Sequence, residues 1–120
     1  MLYICYNKCT TCQKGKKWLD NHKLEIQVRD IKQDNPSYEE LKSWYEKSEV
    51  PLKNFFNTSG LVYKAMNLKD KLAEMSEEEQ LRLLATDGML VKRPLIISDD
   101  KILIGFKEKQ WLSLLPEKRS

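Results

Sequence analysis

Tyr6-Asn7-Lys8-Cys9-Thr10-Thr11-Cys12-Gln13-Lys14 sets two thiols at C-x-x-C spacing, and its flanks decide how the chain is built around them. Before it, Leu2-Tyr3-Ile4-Cys5 is a short apolar run of the kind that forms a buried strand. After it, Lys14 to His22 reads as helix. A thiol pair at the turn from a strand into a helix sits where free backbone N–H groups and the positive end of the helix dipole favour thiolate over thiol. Lys8, Lys14, Lys16 and Lys17 add positive charge nearby. The thiolate is the reactive form, so the stretch reads as a redox or nucleophilic cysteine site.

The rest of the composition is consistent with such a site. A chain of 120 residues is long enough for one core without disulfide staples. Its 41% apolar and 32% charged residues describe a globular rather than a disordered protein. The net charge of +3 is evenly spread: residues 1–60 carry 10 basic and 8 acidic side chains, residues 61–120 carry 11 and 10. No half is a basic arm, which argues against direct nucleic-acid binding. No apolar run approaches the roughly 20 residues of a membrane span. The N-terminus runs straight into the first strand without the basic and apolar regions of a signal peptide. Three cysteines, all within residues 5–12, are not a secreted disulfide framework and fit a cytoplasmic redox or metal role.

Working outward, the first helix is expected from about Thr10 to Asn21, with Cys12, Gly15, Leu19 and His22 on one stripe and Trp18 beside it. Gly15 on that stripe lets the helix lie close to a sheet. Glu25 to Ile31 alternates with period two and reads as the second strand, completing a βαβ unit with parallel strands. A helical segment follows. Ser37 and Glu40 form a capping box ahead of Leu41, Trp44 and Tyr45; Val50-Pro51 ends that helix. Pro51 to Phe56 reads as a short helical turn and Asn57-Thr58-Ser59-Gly60 as a loop. Leu61 to Asn67 and Leu68 to Met75 are further helical pieces. Ser76 and Glu79 form a second capping box before Leu81, Leu84 and Ala85, with Gly88 expected as a left-handed cap. Leu95–Ser98 and Ile102–Gly105 flank Asp99-Asp100-Lys101 as a tight hairpin. Lys107 to Leu115 is expected as a last helix with Trp111, Leu112 and Leu115 facing in, ended by Pro116.

The order βαβ, helical segment, ββα corresponds to a thioredoxin-like α/β fold, a mixed four-stranded sheet with a helical insertion. The expected organisation is a single domain over 1–120, with 1–34 and 87–120 as the core and 35–86 as the insertion. In that layout the thiol after the first strand faces a proline before the third, here Pro94 in Lys92-Arg93-Pro94-Leu95. Nearly the whole chain resembles the arsenate-reductase-like family of the thioredoxin superfamily, which includes the Spx and MgsR regulators. The resemblance is carried by Cys9 to Leu19, Phe56 to Gly60, Ser76 to Leu81, Asp87 to Pro94 and Gly105 to Glu108.

The resemblance implies that Cys9 is the reactive cysteine and that Arg93 lies next to a cis proline at Pro94. It places Asn57 and roughly Gly105 where arsenate reductases of this type hold two further arginines. Neither supplies a guanidinium fork, which tells against arsenate as substrate. The Spx-type regulators bind the RNA polymerase α subunit through a glycine matching about Val50 here, which tells against that partner. Two functions follow. One is a thiol-dependent reductase recycled by an external dithiol of thioredoxin or glutaredoxin type. The other is a redox-sensing transcriptional regulator acting on the polymerase α subunit.

In the chemistry these residues suggest, Cys9 attacks a disulfide, a peroxide or an oxyanion, and Cys12, one turn further in, resolves the adduct as a Cys9–Cys12 disulfide. The competing reading is a structural or zinc pair. Zinc takes about four ligands; only Cys5 and His22 stand near, and Cys5 lies in the strand. No cofactor is expected. Cys5 reads as a small core residue ahead of a third redox thiol, His22 as a helix-end or surface residue. Arg93 reads as the thiolate and anion stabiliser ahead of a plain solvated arginine. Asn57 to Gly60 reads as a plain loop ahead of an anion-binding one.

Overall fold

The protein is described here by a computed structural model covering residues 1–115. The expected terminator Pro116 lies outside them. Four strands, β1 (Leu2–Cys5), β2 (Gln27–Asp30), β3 (Leu95–Ile97) and β4 (Ile102–Ile104), form one sheet in the order β2-β1-β3-β4. β1 and β2 run parallel, joined through the helix α1 (Thr10–Asn21); β1–β3 and β3–β4 are antiparallel. This is the mixed four-stranded, thioredoxin-like sheet expected. Among the described residues no helix is long and apolar enough to cross a membrane.

Side chains alternate across a strand, and β1 uses the alternation to divide the apolar residues between two faces. Tyr3 and Cys5 point to the face covered by α1, where they join Cys12, Leu19, Ile96 and Trp111. Ile4, with Leu95 and Ile31, joins the larger cluster under the helical segment, which includes Leu41, Phe55, Phe56, Leu81 and Leu84. Parity in β1 therefore puts Cys5 on the same side as Cys12.

α1 lies close to the sheet because Gly15 allows it. A Cβ at Gly15 would stand 2.5 Å from the Tyr3 hydroxyl and 2.8 Å from Cη2 of Trp111. Tyr3 and Trp111 themselves meet edge to face at 6.2 Å between ring centroids. Cys12, Gly15 and Leu19 form the buried stripe of α1, while His22 falls outside it. His22 is the exposed C-cap residue, with Nδ1 at 2.8 Å from the Trp18 carbonyl and its ring stacked 3.9 Å from that of Trp18.

On the other face lie α2 (Tyr38–Ser48) and α5 (Glu77–Leu84), each opened by the capping box read from the sequence. Ser37 Oγ accepts from Glu40 N–H and Ser76 Oγ from Glu79 N–H, both at 3.1 Å. α2 is tied to β2 by Arg29, whose Nη1 and Nη2 donate to Glu40 at 2.6 and 2.9 Å. Between α2 and α5 come a 3-10 turn at Leu52–Phe55, α3 (Leu61–Ala65), α4 (Leu68–Lys71) and a 3-10 turn at Leu72–Glu74.

Several local expectations change. β2 is shorter than Glu25–Ile31: Ile31 leaves the strand and is fully buried, its N–H donating to Cys5 O at 2.8 Å. Tyr45 is only partly buried in α2. β3 and β4 each stop one residue short of the expected ends. Gly88 is not a left-handed cap. α5 ends at Ala85 in right-handed geometry, and Gly88 opens a 3-10 turn, Gly88–Leu90. What requires glycine there is proximity: a Cβ would collide with the Ile31 carbonyl and approach Asn35 Oδ1 to 2.7 Å. The last helix is divided into α6 (Glu108–Trp111) and a 3-10 turn at Leu112–Leu114. The tighter turn rotates the following residues away from the core, so Trp111 is buried while Leu112 is 55% exposed rather than facing in.

Candidate functional site

Cys9 is the N-cap residue of α1, in extended geometry at the end of a turn closed by its own N–H donating to Tyr6 O at 2.9 Å. The turn is tightened by Gln13 Nε2, which donates to Asn7 O at 2.8 Å. Cys12 sits one helical turn in, 2% exposed, and is fastened to β1 and the residue after it. The Tyr3 hydroxyl donates to Cys12 O at 2.7 Å, and Tyr6 N–H donates to Cys12 Sγ at 3.3 Å. Cys5, Cys9 and Cys12 are all free thiols.

The electrostatics separate the two sulfurs of the pair. Burial works to raise the Cys9 thiol, but the Cys12 N–H and side chain, the Thr11 N–H and the Arg93 guanidinium outweigh it and lower Cys9 below the ordinary thiol value. The Cys9 side chain makes no full capping hydrogen bond; the Cys12 and Thr11 amides act on it as nearby dipoles, the arrangement that favours an anion at a helix N-terminus. The cation acting on Cys9 is Arg93. Lys16, one of the four lysines expected to support Cys9, acts on Cys5 instead. The side chain of Cys5 and burial push the Cys12 thiol strongly up, with the Cys9 charge adding to the effect, so Cys12 stays protonated.

Arg93 reaches this corner from the segment before β3. The Arg93–Pro94 peptide is cis, as the resemblance implied. The guanidinium carbon lies 5.4 Å over the Tyr6 ring. Nη1 makes a long contact of 3.5 Å to Val91 O, and the buried Nε has no partner among the described residues. Most of the guanidinium's donors are thus not engaged by the fold.

Cys9 and Arg93 open into a cavity of about 620 Å³. Asn57 and Gly105 line it. Lys92 and Lys107 line the same cavity, and none of Lys92, Arg93 and Lys107 has a carboxylate partner among the described residues. Leu61, Val62, Met89 and Phe106 give it an apolar side, next to the hydroxyl-bearing Tyr6, Thr11 and Ser59. Leu61, on the lip, is 86% exposed. A neighbouring groove of about 500 Å³ shares Lys92 and Lys107 and adds Lys53 and Val50.

Sequence reading brought Cys9, Cys12, Arg93 and Pro94 together, and the fold does the same. It missed Lys92 and Lys107, whose only signal was their position beside Arg93-Pro94 and Gly105-Phe106. The loop Asn57–Gly60, read as a plain loop, forms part of the cavity wall.

The ArsC family model matches residues 4–114. YusI of Bacillus subtilis is 55% identical over 111 residues, covering 92% of this chain and 94% of its own. The regulatory protein MgsR of Bacillus subtilis is 30% identical over 118 residues, 98% of this chain and 92% of its own. The crystal structure of an ArsC family related protein from Bacteroides fragilis superposes with a TM-score of 0.93 at 52% identity, covering 95% of this chain and 96% of that one. A thioredoxin-like sheet with a thiol at the first helix N-terminus, matched over this span, makes the chain a member of the ArsC family.

Proposed function

We propose that the chain is a thiol–disulfide redox protein, a thiol-dependent reductase working through Cys9 and Cys12 with Arg93 as thiolate and anion stabiliser. The observation that carries this reading is the placement of Cys9: an N-cap thiol beside first-turn amides and a guanidinium, with a protonated thiol one turn behind. Cys9 thiolate attacks one sulfur of a disulfide, forming a mixed disulfide and expelling the first thiolate. Cys12 then loses its proton and attacks Cys9 Sγ, expelling the second thiolate and closing the Cys9–Cys12 disulfide. An external dithiol of thioredoxin or glutaredoxin type, in a cytoplasmic setting, reduces it again. Lys92, Arg93 and Lys107 around the cavity favour an anionic substrate. With Asn57 and Gly105 on its wall instead of arginines, the cavity suits an organic disulfide better than arsenate. In this reading residues 1–34 and 87–120 are the redox core, and the insertion 35–86 closes one wall with Asn57 and Leu61.

The test uses an anionic aryl disulfide, dithiobis(nitrobenzoate), near neutral pH. Each wild-type molecule is expected to release two equivalents of thionitrobenzoate, the second through Cys12. Cys12→Ser releases one, Cys9→Ser none in the fast phase, and Arg93→Ala slows the first release while its pH midpoint moves up. A fast phase that survives in Cys9→Ser would remove the reading.

A second reading rests on the relation to MgsR, 30% identical over 98% of this chain. In this second reading the Cys9–Cys12 disulfide of this chain would switch binding to the RNA polymerase α subunit, in the groove that Val50 lines. Capture of the α subunit by one redox state alone, with no turnover of disulfides, selects this reading over the first.

A further inference from the structure

Cys5 has no part in the chemistry above, yet the fold does not isolate it. It ends β1 on the face turned toward α1 and shares an apolar cluster with Cys12, against which Cys9 is also packed. Cys5 and Cys12 are 8% and 2% exposed, and Cys9 is the more open of the three. Cys12 thus stands between two sulfurs, one at the cavity and one in the interior. The ionisation of all three is linked: Cys5 and Cys9 push the Cys12 thiol up, and Cys12 pushes each of theirs down. Sharing one cluster with Cys12, either sulfur is placed to become its covalent partner.

We propose that Cys5 is a third redox thiol, which exchanges with the Cys9–Cys12 disulfide to form a Cys5–Cys12 disulfide and release Cys9. The inference rests on the reading of Cys9 and Cys12 as a redox pair. Cys5 gives its proton to solvent and its sulfur attacks Cys12 Sγ. The Cys5–Cys12 bond forms, the Cys9–Cys12 bond breaks, and Cys9 leaves as the thiolate that its amides and Arg93 favour. One disulfide replaces another, so no oxidant is consumed and no electrons leave the protein. Once Cys12 is bridged it has no proton to give, so Lys16 is the group that favours the Cys5 thiolate, against burial and Asp30. The exchange moves the oxidised bond into the interior and returns a nucleophile to the cavity, so that one molecule carries a disulfide and an active Cys9 together.

The sequence supplies a direct assay. Trypsin cleaves after Lys8 and Lys14, which puts Cys5 in peptide 1–8 and both Cys9 and Cys12 in peptide 9–14. The protein is oxidised with a limiting amount of diamide, quenched in acid, alkylated and digested without reduction. Wild type is expected to give both the internally bridged 9–14 peptide and a 1–8/9–14 cross-link, with alkylated Cys9 in the cross-linked species. Cys9→Ser, which has no Cys9–Cys12 disulfide for Cys5 to attack, and Cys12→Ser are both expected to lose the cross-link, and Cys5→Ala to give the 9–14 bridge alone. A wild-type 9–14 bridge with no cross-link at any time overturns the role of Cys5 and leaves the Cys9–Cys12 pair standing. Absence of the 9–14 bridge in both wild type and Cys5→Ala sinks the pair, and the exchange with it.

Discussion

Replacing Gly15 by alanine tests how closely α1 must approach the sheet for the site to form. In an unconstrained helix the change would stabilise by about 1 kcal/mol through helix propensity. Here the new methyl would stand 2.5 Å from the Tyr3 hydroxyl and 2.8 Å from Trp111 Cη2, both on fully buried side chains. Overpacking of this kind costs about 1–3 kcal/mol. Displacing the Tyr3 hydroxyl also loses its hydrogen bond to Cys12 O, 2.7 Å long, for about 0.5–1.5 kcal/mol more. Set against the propensity gain, the net loss is about 2 kcal/mol. An unfolding entropy of about 2.1 cal/mol/K per residue over this chain turns that into a fall in Tm of about 8 °C. Scanning calorimetry of Gly15→Ala, Tyr3→Phe and the double variant reads the effect. Tyr3→Phe removes the nearest obstacle, so the double variant should lose less than the sum of the singles, while Trp111 prevents full recovery. A Gly15→Ala protein that melts at or above wild type would refute the close-approach argument.

Other consequences are as specific. Arg29 holds the Glu40 carboxyl down at about 2, against burial and with help from Ser37. Because the folded value lies below that of the unfolded chain, about 4.3, the stabilisation is complete above that pH and is lost as pH falls toward 2. Glu40 is 38% exposed, so screening holds the contribution to about 1 kcal/mol; urea titrations of Glu40→Gln should show a flatter stability profile across that acid window. Gly88→Ala presses a methyl on the Ile31 carbonyl, where backbone has to move; a loss of about 3 kcal/mol or more is expected, read as the urea midpoint. Ser37→Ala and Ser76→Ala each remove a capping box and should cost about 1 kcal/mol by the same measurement.

The features read correctly from the sequence are those set by short-range chemistry. The strand-to-helix turn at Cys9 and the serine caps at Ser37 and Ser76 are decided within a few residues, and the order of elements then leaves few sheet topologies. What escaped depends on residues distant in the chain. Gly88 looks like a helix cap until Ile31 is brought against it. Lys92 and Lys107 flank different elements and meet only where β3 and β4 present their neighbours to one cavity. Leu112 fits a buried helical stripe only if the helix continues, and it tightens instead at that residue. Cys5 was correctly placed in the core, but its nearness to Cys12 required the docking of α1 over β1.

The two ties on Cys12 also settle which half of the motif can move. Its carbonyl and sulfur are both bound by groups from Tyr3 and Tyr6, so the helix start is anchored and the strain of closing a bridge falls on residues 6–9. That short segment carries the Tyr6 ring on which Arg93 rests. Oxidation would therefore be displayed at the rim, as a displaced aromatic ring and a re-aimed guanidinium, while the sheet beneath keeps its shape. A binding partner able to tell the two states apart needs to touch only that rim.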